Sequence, residues 1–282
     1  MMFGRNTAEF YVPDGKSVEE ALARTTRMGI GAHPDDLEIM AYHGILECFR
    51  KKEKQFLGVV VTDGAGSPRD GIYASYTDEE MRRIRKTEQK KAATLGEYSA
   101  VVLLDYPSSI IKDPKDQSVK EDLKKLISAT RPSYIYTHNL ADKHDTHVGV
   151  AVRTIQALRE LPKNAHPQKV YGCEVWRGLD WMVDSDKVVF DVSDHENLSV
   201  ALVSVFDSQV SGGKRYDLAT VGRRRANATY YETHGTDIST AMIYAMDLTP
   251  LIKNPKIDII EYVSGYIDRF SQDISARIRK VL

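Results

Sequence analysis

The segment RMGIGAHPDDLE, residues 27–38, joins a short apolar run to a cluster of polar side chains. The run predicts a strand over residues 27–32, and the pattern after it predicts a helix over residues 37–49. His33, Pro34, Asp35 and Asp36 therefore fall where a strand ends and a helix begins. Because ligands bind at the carboxyl ends of strands in open α/β sheets, this junction is a candidate site.

Strand patterns alternate with amphipathic helix patterns through the first 161 residues. Further strands are predicted at 55–61, 100–104 and 134–137, and further helices at about 78–95, 119–130 and 146–161. The nearly continuous apolar run at 55–61 is typical of a strand buried on both faces. This order predicts an α/β fold, with a Rossmann-like, mostly parallel sheet and helices on both of its faces.

The pattern becomes less regular after Pro162. Strands at 169–173 and 187–191 and a helix at 196–205 are predicted there, and residues 211–231 suggest a specialised loop leading into a helix. We expect a single domain over residues 1–282, with a core at about 27–161 and a C-terminal elaboration at 162–282 that shapes the pocket.

The predicted C-terminal helix, residues 259–282, carries apolar residues at spacings of three and four. Two interpretations are open for this pattern. The helix packs on the core, or it forms a subunit interface in a homo-oligomer.

Charge and cysteine content exclude several classes of protein. The chain has 39 basic and 40 acidic residues, so its net charge of −1 provides no strong global field for nucleic acid or an anionic membrane. Its apolar runs are far shorter than the ~20 residues that span a bilayer, and the first ten residues contain no apolar signal core.

Cys48 and Cys173 are the only cysteines, which excludes a disulfide framework and a cysteine-rich zinc site. We expect a cytoplasmic enzyme with no nucleic-acid or membrane partner.

Residues 33–36 contain three side chains able to bind a metal or act as a base. Pro34 biases His33 toward an extended backbone, and the helix dipole favours the ionised forms of Asp35 and Asp36. Adjacent carboxylates repel each other, and a divalent cation would relieve that repulsion while one carboxylate stays free for acid–base work. The alternative is structural, with both aspartates capping the helix and His33 in a loop.

A second polar cluster follows the strand predicted at 134–137, at the same edge of the sheet. His144 and His147 are three residues apart, which brings both rings to one side of a helical turn. Imidazole and carboxylate ligands together suit zinc or a similar first-row ion, and a catalytic zinc needs about three protein ligands. The alternative is that two of the eight histidines stand at this spacing by chance.

The segments AHPDD at 32–36 and HDTH at 144–147 together resemble the signature motifs of the PIG-L/LmbE-like family of zinc-dependent N-deacetylases. The segment VTDG at 61–64 looks like the family's segment after the second strand, and Arg85 and Glu88 are similar to its Arg-x-x-Glu helix. The resemblance covers roughly residues 27–161. It implies a hydrolase that removes an N-acetyl or similar acyl group from a small amino-sugar conjugate.

Carried over residue by residue, the resemblance implies that His33, Asp36 and His147 bind the metal. The metal it implies is Zn²⁺, with Fe²⁺ or another divalent first-row ion as alternatives. Asp35 would be the general base that acts on a metal-activated water, and His144 in its charged form would stabilise the oxyanion.

The same resemblance implies that Arg85 holds substrate. The chain departs from the family pattern at two places. Residues 40–44, MAYHG, stand where the family usually has a Gly-Gly pair, and Thr146 replaces the aspartate that supports the first histidine of the second motif. Asp142 or Asp145 would then have to support His144.

Two segments outside these motifs are candidates for substrate binding. SGGKRYD at 211–217 does not match a phosphate-loop motif, but Lys214 or Arg215 could meet an anionic or polyhydroxylated substrate. Trp176 opens the aromatic-rich segment WRGLDW, and aromatic faces stack on sugar rings. The alternatives are a solvated turn for the first segment and core packing for the second.

The function predicted from these residues is metal-dependent hydrolysis of an N-acyl amino sugar. A non-catalytic sugar- or nucleotide-binding protein on the same fold is the alternative. A free base beside a metal site argues against it, because a binding module has no need of one. A metal-dependent enzyme that cleaves another amide or an ester is a third interpretation.

Overall fold

The computed structural model describes residues 1–282 and contains one eight-stranded sheet. Its strands are, in chain order, β1 (Glu9–Tyr11), β2 (Arg27–Gly31), β3 (Phe56–Thr62), β4 (Ala100–Tyr106), β5 (Tyr134–His138), β6 (Lys169–Cys173), β7 (Val188–Asp191) and β8 (Met242–Asp247). They lie side by side in the order β1-β4-β3-β2-β5-β6-β8-β7. The five strands from β4 to β6 in that order are parallel. The pairings of β1, β7 and β8 are antiparallel.

Twelve α-helices connect or follow these strands. They are α1 (Val18–Ala23), α2 (Asp36–Met40), α3 (Tyr42–Cys48), α4 (Asp78–Leu95), α5 (Ser108–Lys112), α6 (Ser118–Thr130), α7 (Asp145–Glu160), α8 (Glu196–Ser204), α9 (Asp207–Val210), α10 (Tyr216–Tyr230), α11 (Thr249–Lys253) and α12 (Ile259–Val281). None of them combines the length and the apolar character needed to cross a membrane.

The sheet is covered on both faces, which confirms the predicted mostly parallel α/β fold. On one face, apolar side chains of α1, α6, α7 and α11 pack with the strands, and on the other face those of α2, α3, α4 and α8 do so. All seven residues of β3 and all seven of β4 are buried. A strand enclosed in this way has no solvent side, which explains its continuous apolar sequence.

The predicted strands are confirmed to within a residue or two, and the predicted helix at 37–49 is corrected. That helix is two helices, α2 and α3, which meet at Ala41. Its amphipathic pattern continues through the break, so periodicity alone does not reveal it. Strands β1 and β8 and helices α1 and α11 are further elements that the sequence reasoning missed. Strand β8 is buried like β3. The sequence before it shows no regular alternation of strand and helix patterns, so this strand was not predicted.

Helix α2 lies very close to the sheet because β2 contains glycine where the two meet. A Cβ atom on Gly29 would come within 2.9 Å of the Cδ2 atom of Leu37, the second residue of α2. Strands β2 and β5 are direct neighbours, so the segments that follow them meet at the same carboxyl edge. That edge holds both of the polar clusters found in the sequence.

Candidate active site

The turn between β2 and α2 shapes the first cluster. Asp35 has a φ of 95°, a backbone conformation that costs free energy for a residue with a side chain. Its carboxylate makes no helix-capping hydrogen bond, whereas Asp36 accepts a hydrogen bond of 2.7 Å from the backbone N–H of His33. The structural alternative of two capping aspartates therefore does not describe Asp35.

His33, Asp36 and His147, the three residues implied as metal ligands, meet in a small triangle. Nδ1 of His33 lies 3.2 Å from Nε2 of His147 and 3.3 Å from a carboxylate oxygen of Asp36. Nε2 of His147 lies 3.4 Å from the other oxygen of Asp36. Asp36 and His147 are buried, and His33 is partly exposed at the cavity.

This triangle fits a divalent metal ion. Tetrahedral ligation with bonds of about 2.0–2.1 Å places the ligand atoms about 3.3 Å apart. Two imidazole nitrogens at 3.2 Å cannot both present lone pairs to each other without a proton or a cation between them. His33 and His147 therefore suit a cation that Asp36 would help to hold.

His138, at the end of β5, belongs to the same cluster and was not predicted from the sequence. Its ring stacks on that of His147 with centroids 3.9 Å apart, and its Nε2 lies 3.4 Å from Asp36. The same Nε2 accepts a hydrogen bond of 2.9 Å from the backbone N–H of Ala32. Because that lone pair is already used, Nε2 of His138 is not free for a metal ion, and the ring packs on His147 from behind. A histidine ending a central, buried strand was the signal that could have found it.

The charges of the cluster are strongly coupled. Burial alone would raise the pKa of the Asp36 carboxyl, but His147 and His138 beside it hold that pKa well below its usual range. Burial alone would lower the pKa of His147, but the carboxylates of Asp36 and Asp142 raise it overall. The arrangement therefore keeps Asp36 ionised, as a metal ligand must be.

Asp142 accepts a hydrogen bond of 2.9 Å from the backbone N–H of His144, but it forms no ion pair with the His144 ring, which the sequence predicted it to support. A carboxylate oxygen of Asp142 lies 3.6 Å from Nδ1 of His147, on the side of the ring away from the triangle. At 3.6 Å this is an ion-pair separation and not a hydrogen bond, and it leaves Nε2 of His147 free for a metal. The other oxygen accepts hydrogen bonds from the backbone N–H groups of Trp176 and Arg177 at 3.1 and 3.4 Å.

Asp35 lies beside the triangle in a separate, buried environment. Both terminal nitrogens of Arg85 lie 3.3 Å from the same oxygen of Asp35, and Arg85 also donates to the carbonyl of Pro34. Gln89, one turn along α4, accepts a hydrogen bond of 3.2 Å from the backbone N–H of Asp35. Burial raises the pKa of Asp35 to about 7, although the Arg85 charge opposes the shift.

Arg85 lines the cavity, where we expected it to hold substrate, but its guanidinium is already engaged. Its residue surface is only 1% exposed, and its guanidinium is occupied by Asp35 and Pro34. The structure therefore shows Arg85 in contact with Asp35, and its role in holding substrate stays a prediction. Glu88, the other residue of the matched helix motif, accepts hydrogen bonds from the backbone and the hydroxyl of Ser208 at 2.7 and 2.6 Å.

Gly64, in the segment VTDG, is required by the close approach of its neighbours. It has a φ of 69°, and a Cβ atom there would lie 3.2 Å from Nε of Arg85 and 3.3 Å from Cδ of Pro34. A side chain would therefore be strained and would displace the group that holds Asp35. This contact explains why a glycine follows β3 at this site.

His144 lies on the cavity wall, and the structure does not favour the charged form expected of it. Its ring stacks on His147 with centroids 4.7 Å apart and meets the edge of His33 at 4.9 Å. Burial, with His147 and His33 adding to it, lowers the pKa of His144 to about 4. No carboxylate forms an ion pair with the ring, and Asp145 is exposed without contacting it.

A cavity of about 450 Å³ opens onto this cluster. Residues of the C-terminal elaboration, Trp176, Gln209, Lys214 and Tyr216 among them, line part of it. Nζ of Lys214 lies 4.9 Å from the centroid of the Trp176 ring. Of the residues expected to bind substrate, Trp176 and Lys214 thus face the cavity. Arg215 does not line it, because its guanidinium pairs with Asp217 at 2.8 Å on the surface.

Residues 28–158 match the family model described as PIG-L: GlcNAc-PI de-N-acetylase. The match spans 131 of the 282 residues. Every histidine and aspartate of the cluster lies within the matched segment, whereas the elaboration that completes the cavity lies outside it. No curated protein matches the chain.

Several solved structures share the fold of this chain. N,N'-diacetylchitobiose deacetylase from Pyrococcus horikoshii has a TM-score of 0.59 and 17% identity, over 79% of this chain and 84% of that one. The 4-carboxy-2-hydroxymuconate hydratase GalB from Pseudomonas putida KT2440 has a TM-score of 0.62 and 14% identity, over 83% and 98%. The zinc-inhibited form of teicoplanin deacetylase Orf2 has a TM-score of 0.54 and 15% identity, over 79% and 98%. At these identities the likeness establishes the fold alone.

Proposed function

We propose that the protein is a metal-dependent hydrolase that removes an N-acetyl or similar acyl group from a small amino-sugar conjugate. The match to the PIG-L family model and two neighbours named as deacetylases support this class of reaction. The observation that carries the proposal is the triangle of His33, Asp36 and His147, with sides of 3.2–3.4 Å, beside the separately held Asp35. A protein that only binds its ligand would not need Asp35 beside the triangle.

His33, Asp36 and His147 would hold the divalent ion, with His138 and Asp142 behind them. An ion held there would polarise the acyl carbonyl and lower the pKa of a water molecule. Imidazole and carboxylate ligands suit zinc, iron and similar first-row ions. Because the neighbour Orf2 has a form described as inhibited by zinc, the activating ion has to be found by comparing several metals.

Asp35 would be the general base. It lines the cavity beside the triangle, and Arg85 and Gln89 fix its carboxylate and its backbone. In this role it accepts a proton from the attacking water and later donates one to the departing amine. Arg85 acts through Asp35, so we assign it as a positioning residue.

His144 would donate a hydrogen bond to the oxyanion of the tetrahedral intermediate. It lies on the cavity wall against His33 and His147, where a substrate carbonyl would reach the site. Because no carboxylate supports its ring, we propose a neutral donor in place of a permanently charged imidazolium. Donors placed where charge develops stabilise the transition state more than the ground state.

The cavity suits a small polar conjugate. Its volume of about 450 Å³ lies within the range of small-molecule sites. Trp176 offers a face for a sugar ring. Lys112 and Lys214 line the cavity without a carboxylate partner, so an anionic or polyhydroxylated substituent would find donors there.

An acetate-release assay on a panel of N-acetylated amino sugars tests this proposal. The protein would be freed of metal with a chelator and reloaded with Zn²⁺, Fe²⁺, Co²⁺ or Mn²⁺ in turn. We expect turnover only with metal present. Asp35→Asn should lower kcat by roughly 10²–10⁴ while metal binding is kept, because it removes the base alone. Asp36→Asn should lose metal affinity as well as turnover.

The outcomes separate the proposal from its alternatives. Near-full turnover of Asp35→Asn would remove Asp35 from the mechanism. Tight binding of an amino sugar without acetate release in any metal form would support the non-catalytic alternative. Because a hydratase shares this fold, hydration of an unsaturated acid without amide cleavage would replace the proposed reaction.

A further inference from the structure

Helix α12 differs from the other helices in how little of it the body of the protein covers. Its first half is anchored, with Tyr266 buried and the hydroxyl of Tyr262 donating to the carbonyl of Asp247 at 2.6 Å. Arg269 adds an ion pair with Asp186 at 2.5 Å. All residues from 274 to 282 are exposed. The second half of α12 therefore extends into solvent.

This helix carries an apolar stripe that the rest of the chain leaves partly or largely exposed. Ile260, Ile267, Ile274 and Val281 recur at intervals of seven residues and are 76%, 47%, 40% and 83% exposed. Val263 and Phe270 stand three residues after the first two and are partly exposed. A seven-residue repeat with β-branched residues at one position and apolar residues three later is the pattern of a helix that pairs with another helix.

The charges of α12 are divided between its two halves. Residues 258–268 contain Asp258, Glu261 and Asp268 and no basic residue, which gives a formal charge of −3. Residues 269–282 contain four basic side chains and one acidic side chain, which gives +3 for the side chains. A second copy of the helix running in the opposite direction would set each acidic half against a basic half. A parallel copy would set like charges together.

We propose that the apolar stripe of α12 pairs with the same stripe of a second copy of this chain, in antiparallel orientation. The exposed tail of each copy covers the anchored half of the other. Opposed helix dipoles favour the same orientation. An anionic membrane surface fits this helix less well, because the half of the stripe next to the body is flanked only by acidic residues. Neither the stripe nor its charges line the catalytic cavity, so this pairing is independent of the proposed reaction.

The mass of the full chain in solution tests the pairing. Light scattering coupled to gel filtration should give a dimer for the native chain at micromolar concentration. Ile274→Asp places a charge in the stripe at an exposed residue beyond the anchored half of α12, and it should raise the dissociation constant at least about 100-fold. Gln272→Asp adds the same charge to an exposed position off the stripe and should leave the dimer intact. A native chain that stays monomeric up to 100 µM would overturn the proposal.

Charge reversal tests the orientation. Glu261→Lys with Asp268→Lys, or Arg279→Glu with Lys280→Glu, should each abolish self-association. The chain carrying all four changes should pair with itself again but not with the native chain. Mixed dimers of the fourfold variant with the native chain would indicate parallel helices and overturn the proposal. So would a monomeric native chain whose α12 binds phosphatidylserine vesicles.

Discussion

Residues 27–161 and residues 162–282 extend the same sheet, yet they contribute different things to the site. The first region supplies four neighbouring parallel strands and every histidine and aspartate of the cluster. The second adds β6 in parallel and then β8 and β7 in antiparallel pairing, and it supplies Trp176, Lys214 and Tyr216 to the cavity wall. The polar cluster thus lies entirely in the first region, which also lines most of the cavity, and the second region adds one part of the cavity wall.

The second region also holds the first in place. The buried guanidinium of Arg224 in α10 donates to the carbonyls of Glu38 and Ile39 at 2.7 and 3.0 Å and to the hydroxyl of Ser199. These carbonyls lie at the end of α2, a helix of five residues that begins at Asp36. A helix this short cannot satisfy its own last carbonyls. The elaboration therefore supplies hydrogen bonds that the helix carrying Asp36 lacks.

The largest expected effect comes from cutting that connection. Arg224→Met leaves two buried carbonyls and a hydroxyl without a donor, so it should lower the free energy of unfolding by about 3 kcal/mol. Urea denaturation measures the loss, and acetate release should fall with it. Arg225→Met is the matched control, because Arg225 is exposed and pairs only with Glu196 on the surface. Its effect should stay within about 0.5 kcal/mol. Equal effects of the two changes would contradict the role given to Arg224.

The next effect belongs to the first region alone. Gly64→Ala should cost about 2 kcal/mol, because the residue has a positive φ and the new methyl group meets Arg85 and Pro34. It should also reduce kcat more than it changes KM, since Arg85 holds Asp35. Gly66→Ala is the control, because a Cβ atom there has no neighbour within 4 Å. Thermal unfolding and steady-state kinetics of both variants measure the difference, and a similar response to the two alanines would argue against the contact.

An effect of similar size depends on pH and involves His43 of α3, away from the site. His43 accepts or donates a hydrogen bond of 2.9 Å with Tyr136 and stacks on Phe190 of β7 at 4.1 Å. Burial lowers the pKa of His43 to about 4 from its ordinary 6.5. Between those pH values the unfolded chain binds a proton that the folded chain does not, so this contribution to stability is lost as the pH falls.

His43→Gln should remove that part of the pH dependence. We expect the native chain to lose about 2 kcal/mol more than the variant between pH 7 and pH 4.5. Urea titrations at both pH values measure the difference. His234→Gln, which changes an exposed histidine, is the control. If the free energy of unfolding of His43→Gln fell with pH as much as that of the native chain, burial would not lower the pKa of His43.

The local patterns that predicted the first region worked because its strands are enclosed and its motifs are short. The strand at 27–32 and the junction at 33–36 follow from residues adjacent in sequence, and so does the spacing of His144 and His147. The break between α2 and α3 was not predictable in this way. Nor was the strand β8, whose place beside β6 depends on residues more than 70 positions away.

The candidate site divides along the same line. The triangle was predicted because each of its members lies in a motif at a strand end. His138 was missed because a lone histidine in a strand has no partner at a characteristic spacing. It comes close to Asp36 only because β5 lies beside β2 in the folded sheet. Arg85 and Asp142 were predicted as residues but given other partners. The partner that a charged side chain contacts depends on how the helices and strands pack together. The sequence patterns do not reveal that packing.

By itself, the sequence determined the alternating α/β order, the strand-end chemistry of His33, Asp35, Asp36 and His147, and the apolar stripe of α12. These features depend on side-chain type and on spacing within a few residues. Only the tertiary structure decided that Arg85 holds Asp35, that His138 and Asp142 stand behind the triangle, and that Arg224 secures α2 from the other region. Each of these depends on bringing distant segments to hydrogen-bonding distance, which folding of the whole chain alone achieves.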